Sequence, residues 1–586
     1  MNPLLISEAI PAVLTQRRAE SAGLHGSVSL ATLSGIFATT GRLRPHRISV
    51  VARNGYTAAA IHTACARMSV QDCVMSSDVT TAMGKVFLVG AGPGDPGLIT
   101  VRGAECLAQA DLVLYDGLVN PLLLRLTKGN CERTARARRD GADIVAQADI
   151  NARLISEAQA GRTVVRLKGG DPYIFGRGSE EAAALHEAGI PFEVIPGVTA
   201  ATGAGEYAGF SFTHREISSS VAFVTGHEDP NREESRLNYS ALAAFPGTLV
   251  FYMGLSRLRE ICEKLQEAGM PKSLPAAVVC QVSLPSQKVV EGTLETLPAL
   301  AAAQNLRPPS LIVIGECVRQ RAQLSWFENL PLFGVSIGVT RPEEQAEDVA
   351  QQIVRKGGEP VLMPMIEVGP VNQHHQKEIA RVVRQLGRFH WLVFTSVNGV
   401  AEFFRHLHDA KLDTRSLGNA QIAAIGPSTA ERLRAFGINA DVVPSEYRAE
   451  SLAKTLEKRV RGKTVLWVRA SRGRDVLPRM LTDVGALFAQ LVVYENRDVE
   501  TLSPEVARRL KAGTLDWIGL SSPSIARRFA QLLKAAGIAA NELKTRIATI
   551  SPVTSAAARD SGLTVAVEAT VYTWDGILQA IQRGKS

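Results

Sequence analysis

One stretch of sequence decides the fold: Lys168-Gly-Gly-Asp-Pro-Tyr-Ile-Phe-Gly-Arg-Gly178, directly after the apolar run Val164–Leu167. A glycine-rich turn that follows a short buried strand is typical of an α/β sheet with ligand-binding loops at its strand ends. Two further loops of this kind follow apolar runs: Gly90-Ala-Gly-Pro-Gly-Asp-Pro-Gly97 follows Val86–Val89, and Pro196-Gly-Val-Thr-Ala200 follows Phe192–Ile195. The pattern therefore predicts three loops that meet at the carboxyl edge of one sheet.

Working outward, apolar runs alternate with helical patterns from Lys85 to about Leu330. Leu112–Tyr115 belongs to the first unit, and four later runs predict a second unit: Ala222–Thr225, Thr248–Tyr252, Ala276–Cys280 and Leu311–Gly315. We expect two α/β domains, 84–212 and 213–328, and a short linker at 329–332.

The region after residue 332 contains an internal repeat. Trp391–Phe403 recurs as Trp517–Phe529, and Ile422–Thr429 recurs as Ile547–Thr554, at offsets of 126 and 125 residues. The repeat predicts two similar α/β lobes, with lobe one formed by 333–368 plus 496–586 and lobe two by 369–494. A cleft between the lobes is a favoured place for a ligand.

Composition limits the classes of function. The chain has 586 residues, 46% of them hydrophobic and 21% charged, with a net charge of +8 and seven cysteines, none in a CxxC pair. These values predict a multidomain globular protein without a metal site, a nucleic-acid partner or a membrane span, and we expect it in the cytoplasm. Residues 1–83 are rich in arginine and poor in acid, which suits a disordered extension outside the native core or a targeting segment.

The first loop also satisfies a dinucleotide fingerprint, with Gly92, Gly94 and Gly97 followed by Asp116 at the end of the next strand. An NAD-dependent oxidoreductase is therefore one alternative. Pro93 and Pro96 argue against it, because neither can donate an amide hydrogen to a pyrophosphate. A purely structural tight turn is the other alternative.

The motifs of residues 84–328 resemble uroporphyrinogen-III C-methyltransferase of the tetrapyrrole methylase family. They are GAGPGDPGLIT (90–100), VRLKGGDPYIFGRG (165–178), PGVTA (196–200), THR (213–215), VTGH (224–227) and YMG (252–254). The resemblance implies a two-domain α/β fold that binds S-adenosylmethionine and methylates uroporphyrinogen III at C2 and C7 to give precorrin-2. It also implies a homodimer joined through this half.

The resemblance assigns residues to the site. Cofactor contacts fall on Pro93, Gly169, Gly170, Asp171, Ile174, Thr199, Ala200, Met253 and Val282. The family's base falls on Asp116, and its lysine acid is replaced by Arg138. Because arginine stays charged at neutral pH, we expect Arg138, with Arg133, Arg136 and Arg139, to bind substrate carboxylates. The alternatives are a helix cap at Asp171, a solvated strand end at Asp116 and a solvated run of arginines.

Two departures from the family pattern accompany this assignment. Val282 stands where the family has glycine, and Ser551 replaces the glycine that Gly426 provides in the other lobe.

Residues 333–580 resemble uroporphyrinogen-III synthase, which implies a bilobal α/β module. The matching segments are Gly338–Pro342, Thr395–Gly399, Ala424–Thr429, Val468–Ala470 with Gly473–Asp475, and Val493-Tyr494. The equivalent pairs Thr395, Ser396 and Ser521, Ser522 would bind propionate and acetate groups, or would simply cap helices. Tyr494 would donate to the leaving hydroxyl of hydroxymethylbilane, or would pack within its strand.

The combined expectation is a bifunctional enzyme of porphyrin, siroheme or cobalamin biosynthesis, a transferase and a lyase in one chain. Its substrates would be hydroxymethylbilane and uroporphyrinogen III. A methyltransferase with a degenerate, regulatory synthase half is the alternative from a different class of function.

Overall fold

The computed structural model describes residues 83–134, 147–227, 237–473 and 475–585. The predicted extension falls outside these ranges except for Met83, and so do Arg136, Arg138 and Arg139. In the described part of the chain, no helix is both long and apolar enough to cross a membrane.

The first sheet is parallel throughout and has the strand order β3-β2-β4-β1-β5. Its strands are β1 (Lys85–Gly90), β2 (Leu112–Tyr115), β3 (Asn130–Arg133), β4 (Thr163–Lys168) and β5 (Phe192–Ile195). The helices of this region are α1 (Val101–Ala108), α2 (Gln147–Gln159), α3 (Gly178–Glu187) and α4 (Ala200–Ala208). The predicted strands β1, β2, β4 and β5 are confirmed, and each is a short apolar run that is buried or half-buried. Strand β3 was not predicted, because its sequence is polar and exposed.

The second sheet is mixed and has the order β6-β7-β10-β8-β9. Its strands are β6 (Val221–Thr225), β7 (Thr248–Tyr252), β8 (Pro275–Cys280), β9 (Lys288–Thr293) and β10 (Ser310–Ile314). The helices are α5 (Tyr239–Ala243), α6 (Leu258–Glu267), α7 (Leu297–Ala303) and α8 (Arg321–Leu324).

Helix α4 corrects the boundary predicted at residue 212. Ala201, Ala204 and Ala208 pack in one apolar cluster with Val250 and Val279 of the second sheet. Small side chains allow this helix to lie close against that sheet, so its packing places it with the second unit although its sequence position follows the first.

Two five-stranded sheets make up the remainder of the chain. The strands are β11 (Ser336–Val339), β12 (Glu359–Leu362), β13 (Ile366–Gly369), β14 (Trp391–Phe394), β15 (Gln421–Ala424), β16 (Thr464–Ala470), β17 (Leu487–Asp498), β18 (Trp517–Leu520), β19 (Arg546–Thr549) and β20 (Val565–Glu568). Lobe one has the parallel order β12-β11-β18-β19-β20, and lobe two has the order β13-β17-β16-β14-β15 with β13 antiparallel.

The helices of the two lobes lie between these strands. They are α9 (Glu343–Arg355), α10 (Gln373–Val383), α11 (Val397–Asp409), α12 (Pro427–Arg434), α13 (Ala449–Leu456), α14 (Val476–Asp483), α15 (Pro504–Ala512), α16 (Pro523–Ala535), α17 (Pro552–Asp560) and α18 (Trp574–Lys585). The predicted repeat is visible in them, because β14–α11 and β15–α12 of lobe two correspond to β18–α16 and β19–α17 of lobe one.

Strand β13 corrects the predicted lobe boundary at residue 368. Strand β17 pairs with β16 of lobe two and continues to Asp498, which pairs with Ile366, so 366–368 and also 496–498, both predicted in lobe one, belong to the sheet of lobe two. The chain thus leaves lobe one at the carboxyl end of β12 and enters lobe two beside the carboxyl end of β17. Because only residues 363–365 separate these points, the carboxyl ends of β12 and β17 lie near each other.

Leu332 is the buried residue of the predicted linker at 329–332, with 0% of its surface exposed, while Asn329 and Pro331 are exposed. The Leu332 amide donates to the Lys356 carbonyl oxygen at 2.8 Å, which joins this segment to lobe one.

Candidate functional site

Three backbone loops meet at the carboxyl edge of the first sheet, and we call them together the glycine cradle: 90–97, 168–171 and 196–200. Gly92 donates its amide to the Gly170 oxygen at 3.2 Å, and Gly170 donates to the Gly92 oxygen at 2.8 Å. A Cβ added at Gly197 would lie 2.3 Å from the Gly170 oxygen. Only glycine permits this approach, so a ligand at the cradle would meet backbone rather than side chains.

Two carboxylates fix the loops of the cradle. Asp171 accepts the Gly197 amide at 3.0 Å and the Tyr173 amide at 2.8 Å. Asp116 accepts the Gly169 amide at 3.1 Å and the Leu118 amide at 3.0 Å. Each carboxylate therefore connects two backbone segments in a fixed geometry.

Tyr252 joins the cradle to the second sheet. Its hydroxyl lies 2.7 Å from Thr199 Oγ1 and accepts the Ala201 amide at 2.9 Å. Burial raises the pKa of Tyr252, which keeps the phenol neutral. This contact fixes the start of α4 against β7. Helix α4 also packs on the first loop, where a Cβ added at Gly203 would lie 2.7 Å from Pro93 Cγ.

A second polar network holds the first loop against the turn that contains Val282. The Asp95 amide donates to Ser283 Oγ at 2.9 Å, and the Tyr207 hydroxyl donates to Asp95 Oδ2 at 2.7 Å. Gln287 accepts the Ser283 amide at 2.9 Å. Burial and the hydrogen bond to Asp95 raise the pKa of Tyr207. Val282 is 5% exposed, so it forms part of the wall beneath the first loop.

The rim of the cradle is apolar and exposed. The side chains there are Leu118, Tyr173, Ile174, Phe175 and Met253, all between 38% and 56% exposed. Phe175 and Met253 have left-handed backbones, with φ of 51° and 55°. Strained residues and exposed apolar side chains at the edge of a sheet indicate a ligand-binding surface.

An ion cluster lies beneath the second loop. Glu181 is 0% exposed and lies 3.1 Å from Arg166 Nε and 3.0 Å from Lys168 Nζ. Burial opposes ionisation of Glu181, but the charges of Arg166 and Lys168 outweigh it and lower the pKa of the carboxyl. Lys168 directly precedes Gly169, so the cluster anchors the cradle from below.

Arg133 is the described member of the predicted arginine cluster. It ends β3, and its guanidinium would lie 2.7 Å from a Cβ added at Gly117. The exposed Arg133 side chain therefore lies beside the turn that carries Asp116.

In the two lobes, the paired serines cap equivalent helices. Ser396 Oγ accepts the Gly399 amide at 2.9 Å, and Ser522 Oγ accepts the Ile525 amide at 3.2 Å. Ser551 likewise caps α17, where Gly426 in the equivalent position has no side chain to do so. The replacement of glycine at residue 551 thus adds a helix cap.

Tyr494 and Thr395 are held by hydrogen bonds to neighbouring side chains. The Tyr494 hydroxyl lies 3.0 Å from Ser396 Oγ, and the tyrosine is 5% exposed. Thr395 Oγ1 accepts the Trp467 indole hydrogen at 2.9 Å. The structure thus brings Thr395, Ser396 and Tyr494 together at the carboxyl edge of lobe two, and Ser521 and Ser522 follow β18 at the corresponding edge of lobe one.

Comparison with known proteins identifies both halves. The model of the Tetrapyrrole (Corrin/Porphyrin) Methylases matches residues 85–298, and that of Uroporphyrinogen-III synthase HemD matches 347–579. A "Porphyrin biosynthesis protein HemD" of Ruminiclostridium josui is 36% identical over 77% of this chain and 89% of its own length. The chain belongs to the tetrapyrrole methylases fused to a uroporphyrinogen-III synthase.

Other relatives match a smaller share of the chain. A uroporphyrinogen-III C-methyltransferase of Bacillus subtilis is 38% identical over 62% of this chain and 74% of its own length. A siroheme synthase of Pseudomonas fluorescens is 49% identical over 43% of this chain, which spans about half (53%) of that relative. A solved Thermus thermophilus uroporphyrin-III C-methyl transferase complexed with S-adenyl homocysteine is 36% identical, covers 40% of this chain and 99% of its own, and has a TM-score of 0.34.

The cradle brings together most of the residues expected to contact a cofactor in the methylase half. Sequence reasoning missed the side chains that hold them in place: Asp95, Tyr207, Tyr252, Ser283 and Gln287. Asp95 and Tyr252 lie within the motifs 90–100 and 252–254, so their polar side chains could have been predicted from the sequence to hold these loops. No local pattern connects residues 207, 283 and 287, which only the fold brings near residue 95.

Proposed function

We propose that this chain cyclises hydroxymethylbilane to uroporphyrinogen III and then methylates that product at C2 and C7 to give precorrin-2. The synthase step is a lyase reaction that expels water, and the methylase step is a transferase reaction. The observation that carries the proposal is the glycine cradle, which lies in the same chain as a bilobal module with a capped helix at the carboxyl edge of each lobe.

The cradle fits S-adenosylmethionine better than NAD. Its close backbone contacts leave no room for side chains at Gly90 and Gly197, where an added Cβ would lie 2.5 Å and 2.3 Å from other backbone atoms. Pro93 and Pro96 cannot donate hydrogen bonds to a pyrophosphate. Bound S-adenosylmethionine supplies the methyl group, and the residues that would hold it are Pro93, Gly169, Gly170, Asp171, Ile174, Thr199, Ala200, Met253 and Val282.

The chain's own residues would orient the tetrapyrrole. Asp116 is held by two amides, and each of its oxygens retains a second lone pair that can accept a proton from the pyrrole system as the carbon is alkylated. Arg133 lies beside the Asp116 turn and would bind a substrate carboxylate. Arg136, Arg138 and Arg139 have the charge to do the same. Because positioning supplies most of the rate in a displacement of this kind, fixed loops matter more than strong acids.

In the synthase half, the inter-lobe space would enclose the bilane. Ser396, Ser522 and Thr395 already accept or share hydrogen bonds, and their remaining capacity would serve substrate acetate and propionate groups, as would Ser521. Tyr494 would act on the leaving hydroxyl through Ser396, to which its own hydroxyl is bonded. We also propose a cytoplasmic homodimer joined through the methylase half, whose product enters siroheme or cobalamin biosynthesis.

The test supplies hydroxymethylbilane to the full chain with and without S-adenosylmethionine and identifies the tetrapyrroles by mass and absorption. We expect uroporphyrinogen III without the methyl donor and a doubly methylated product with it. Asp171→Asn should weaken S-adenosylmethionine binding and leave ring closure unchanged. Tight NAD binding with no S-adenosylmethionine binding would favour the oxidoreductase, and methylation without ring closure would favour a degenerate synthase half.

A further inference from the structure

Two exposed tyrosines occupy equivalent positions in the two lobes. Tyr447 and Tyr572 are 61% and 64% exposed. They are 125 residues apart, the same offset that relates Ile422–Thr429 to Ile547–Thr554. Each also lies two residues before a helix, since α13 begins at Ala449 and α18 at Trp574. The duplication that produced the lobes therefore places one exposed phenol in each.

Both tyrosines lie at the carboxyl edge of their sheet. Tyr447 follows Val442, which bridges in parallel to Ala423 of β15, and its ring packs on the next turn, 3.2 Å from a Cβ added at Gly426. Tyr572 follows the last residue of β20, Glu568. β15 and β20 are the outermost strands of their sheets, so the two phenols occupy the same place at the carboxyl edges of the two lobes.

The third tyrosine of the synthase half provides a contrast. Tyr494 is 5% exposed and its hydroxyl lies 3.0 Å from Ser396 Oγ. Its ring is part of the core of lobe two. Tyr494 is thus a packed residue, whereas the other two present a flat apolar ring and a hydroxyl donor to solvent. A surface of that kind suits a ligand with flat rings and acidic side chains.

We propose that Tyr447 and Tyr572 are a matched pair of substrate-binding residues, one for each end of the linear tetrapyrrole. Each ring lies against a pyrrole and each hydroxyl donates to a carboxylate of the same end. This inference rests on the proposed synthase function. A ligand that contacts both tyrosines must bridge the lobes, so binding draws the two carboxyl edges toward each other.

The test uses the full chain with Tyr447→Phe, Tyr572→Phe and the double variant. The removal of one hydroxyl that donates to a carboxylate at an exposed position should raise Kd and KM for hydroxymethylbilane about five-fold. Because the residues lie on different lobes, their effects should multiply, and the double variant should raise Kd and KM for hydroxymethylbilane about 25-fold. The turnover number for ring closure should change little, which shows in the same sample that the synthase half is folded.

Leu487→Ala is the matched control, because Leu487 is 63% exposed but begins β17 at the opposite edge of lobe two. Its KM should equal that of the unmodified chain. Unchanged Kd and KM in both phenylalanine variants would overturn the inference, as would a fall in turnover at constant KM. If the unmodified chain binds the bilane without closing it, the proposed synthase function fails, while the Kd values of the variants still decide whether the tyrosines bind.

Discussion

At the residue scale, Arg133 beside the Asp116 turn and Arg138, which lies outside the described residues, test how the methylase half recognises its substrate. Arg138→Ala should raise KM for uroporphyrinogen III more than it lowers turnover. The rise in KM should correspond to about 1.5–3 kcal/mol of binding free energy, the contribution of a hydrogen bond to a charged group. Arg138→Lys should keep most activity, because lysine retains the positive charge and loses only the bidentate hydrogen bonding of the guanidinium group. Steady-state kinetics measure the effects of both substitutions, with Arg133→Ala tested in parallel. Arg508→Ala is the control, because Arg508 pairs with Glu505 on the same exposed helix face.

A collapse of turnover at unchanged KM in Arg138→Ala would assign that arginine a catalytic role instead. No change in either constant would place it on a solvated basic face.

The buried carboxylate beneath the cradle also makes a residue-scale prediction. Glu181→Gln leaves Arg166 and Lys168 buried without a countercharge, which should destabilise the methylase half by about 3–5 kcal/mol. Urea unfolding of the full chain measures this as an earlier first transition. Glu180→Gln is the control, because Glu180 lies on the same helix in an exposed pair with Arg177 and should shift stability by less than about 0.5 kcal/mol.

The same carboxylate gives a pH dependence whose sign is fixed. The folded pKa of Glu181 lies below its ordinary value of 4.5, so the unfolded chain binds more protons in acid. The stability that Glu181 contributes is therefore fully present above the unfolded pKa and is lost as the pH falls through the folded pKa. Melting temperatures between pH 6 and about pH 3 should fall less steeply in Glu181→Gln than in the unmodified chain. Parallel curves would show that the carboxylate does not titrate differently on folding.

At the element scale, the segment Trp326–Phe333 belongs to the methylase half as much as to the junction. Phe327 packs against Tyr207 with ring centroids 4.8 Å apart, and Glu328 accepts from Gln287 at 3.1 Å. A chain that ends at Trp326 loses both contacts and should melt about 5–10 °C lower than one that ends at Leu330, because a buried phenylalanine is worth several kcal/mol. Its affinity for S-adenosylmethionine should also fall, since Gln287 holds the turn that carries Ser283.

Calorimetry and titration of the two truncated chains measure these effects, and ring-closure activity is absent from both by design. Equal melting temperatures would show that Phe327 and Glu328 are only part of the junction.

The contrast between predicted and missed elements has a physical origin. Short apolar runs identify strands because they depend on local sequence, and for this reason β1, β2, β4–β8 and β10 were predictable. Helix α4 was assigned to the wrong unit, because an Ala- and Gly-rich sequence does not reveal which sheet covers it. The boundary at β13 was missed because its antiparallel pairing depends on β17, more than 110 residues later. Likewise, the Asp95–Tyr207 hydrogen bond joins residues that no sequence period relates.

At the scale of the whole molecule, the two halves have separate cores and a polar contact between them. None of the apolar clusters in the described ranges contains residues of both halves. Arg125 crosses the boundary, where it donates to the Glu343 carbonyl oxygen at 2.7 Å and lies 3.1 Å from a Glu347 carboxylate oxygen. Arg125 belongs to a short 3₁₀ helix that begins five residues after Asp116, and Glu343 begins α9.

This arrangement predicts that the halves work independently and that Arg125 sets only their relative orientation. Fragments 83–330 and 331–585 should retain methylation and ring closure respectively, and deletion of residues 1–82 should affect neither activity.

In the full chain, Arg125→Ala should leave both turnover numbers within about two-fold. Its partners Glu343 and Glu347 are more than half exposed, and ion pairs with exposed partners contribute about 0–1 kcal/mol. Small-angle scattering should nevertheless show a broader distribution of distances. Loss of either activity in folded Arg125→Ala would mean that a site depends on the other half, and unchanged scattering would mean that the junction segment alone fixes the orientation.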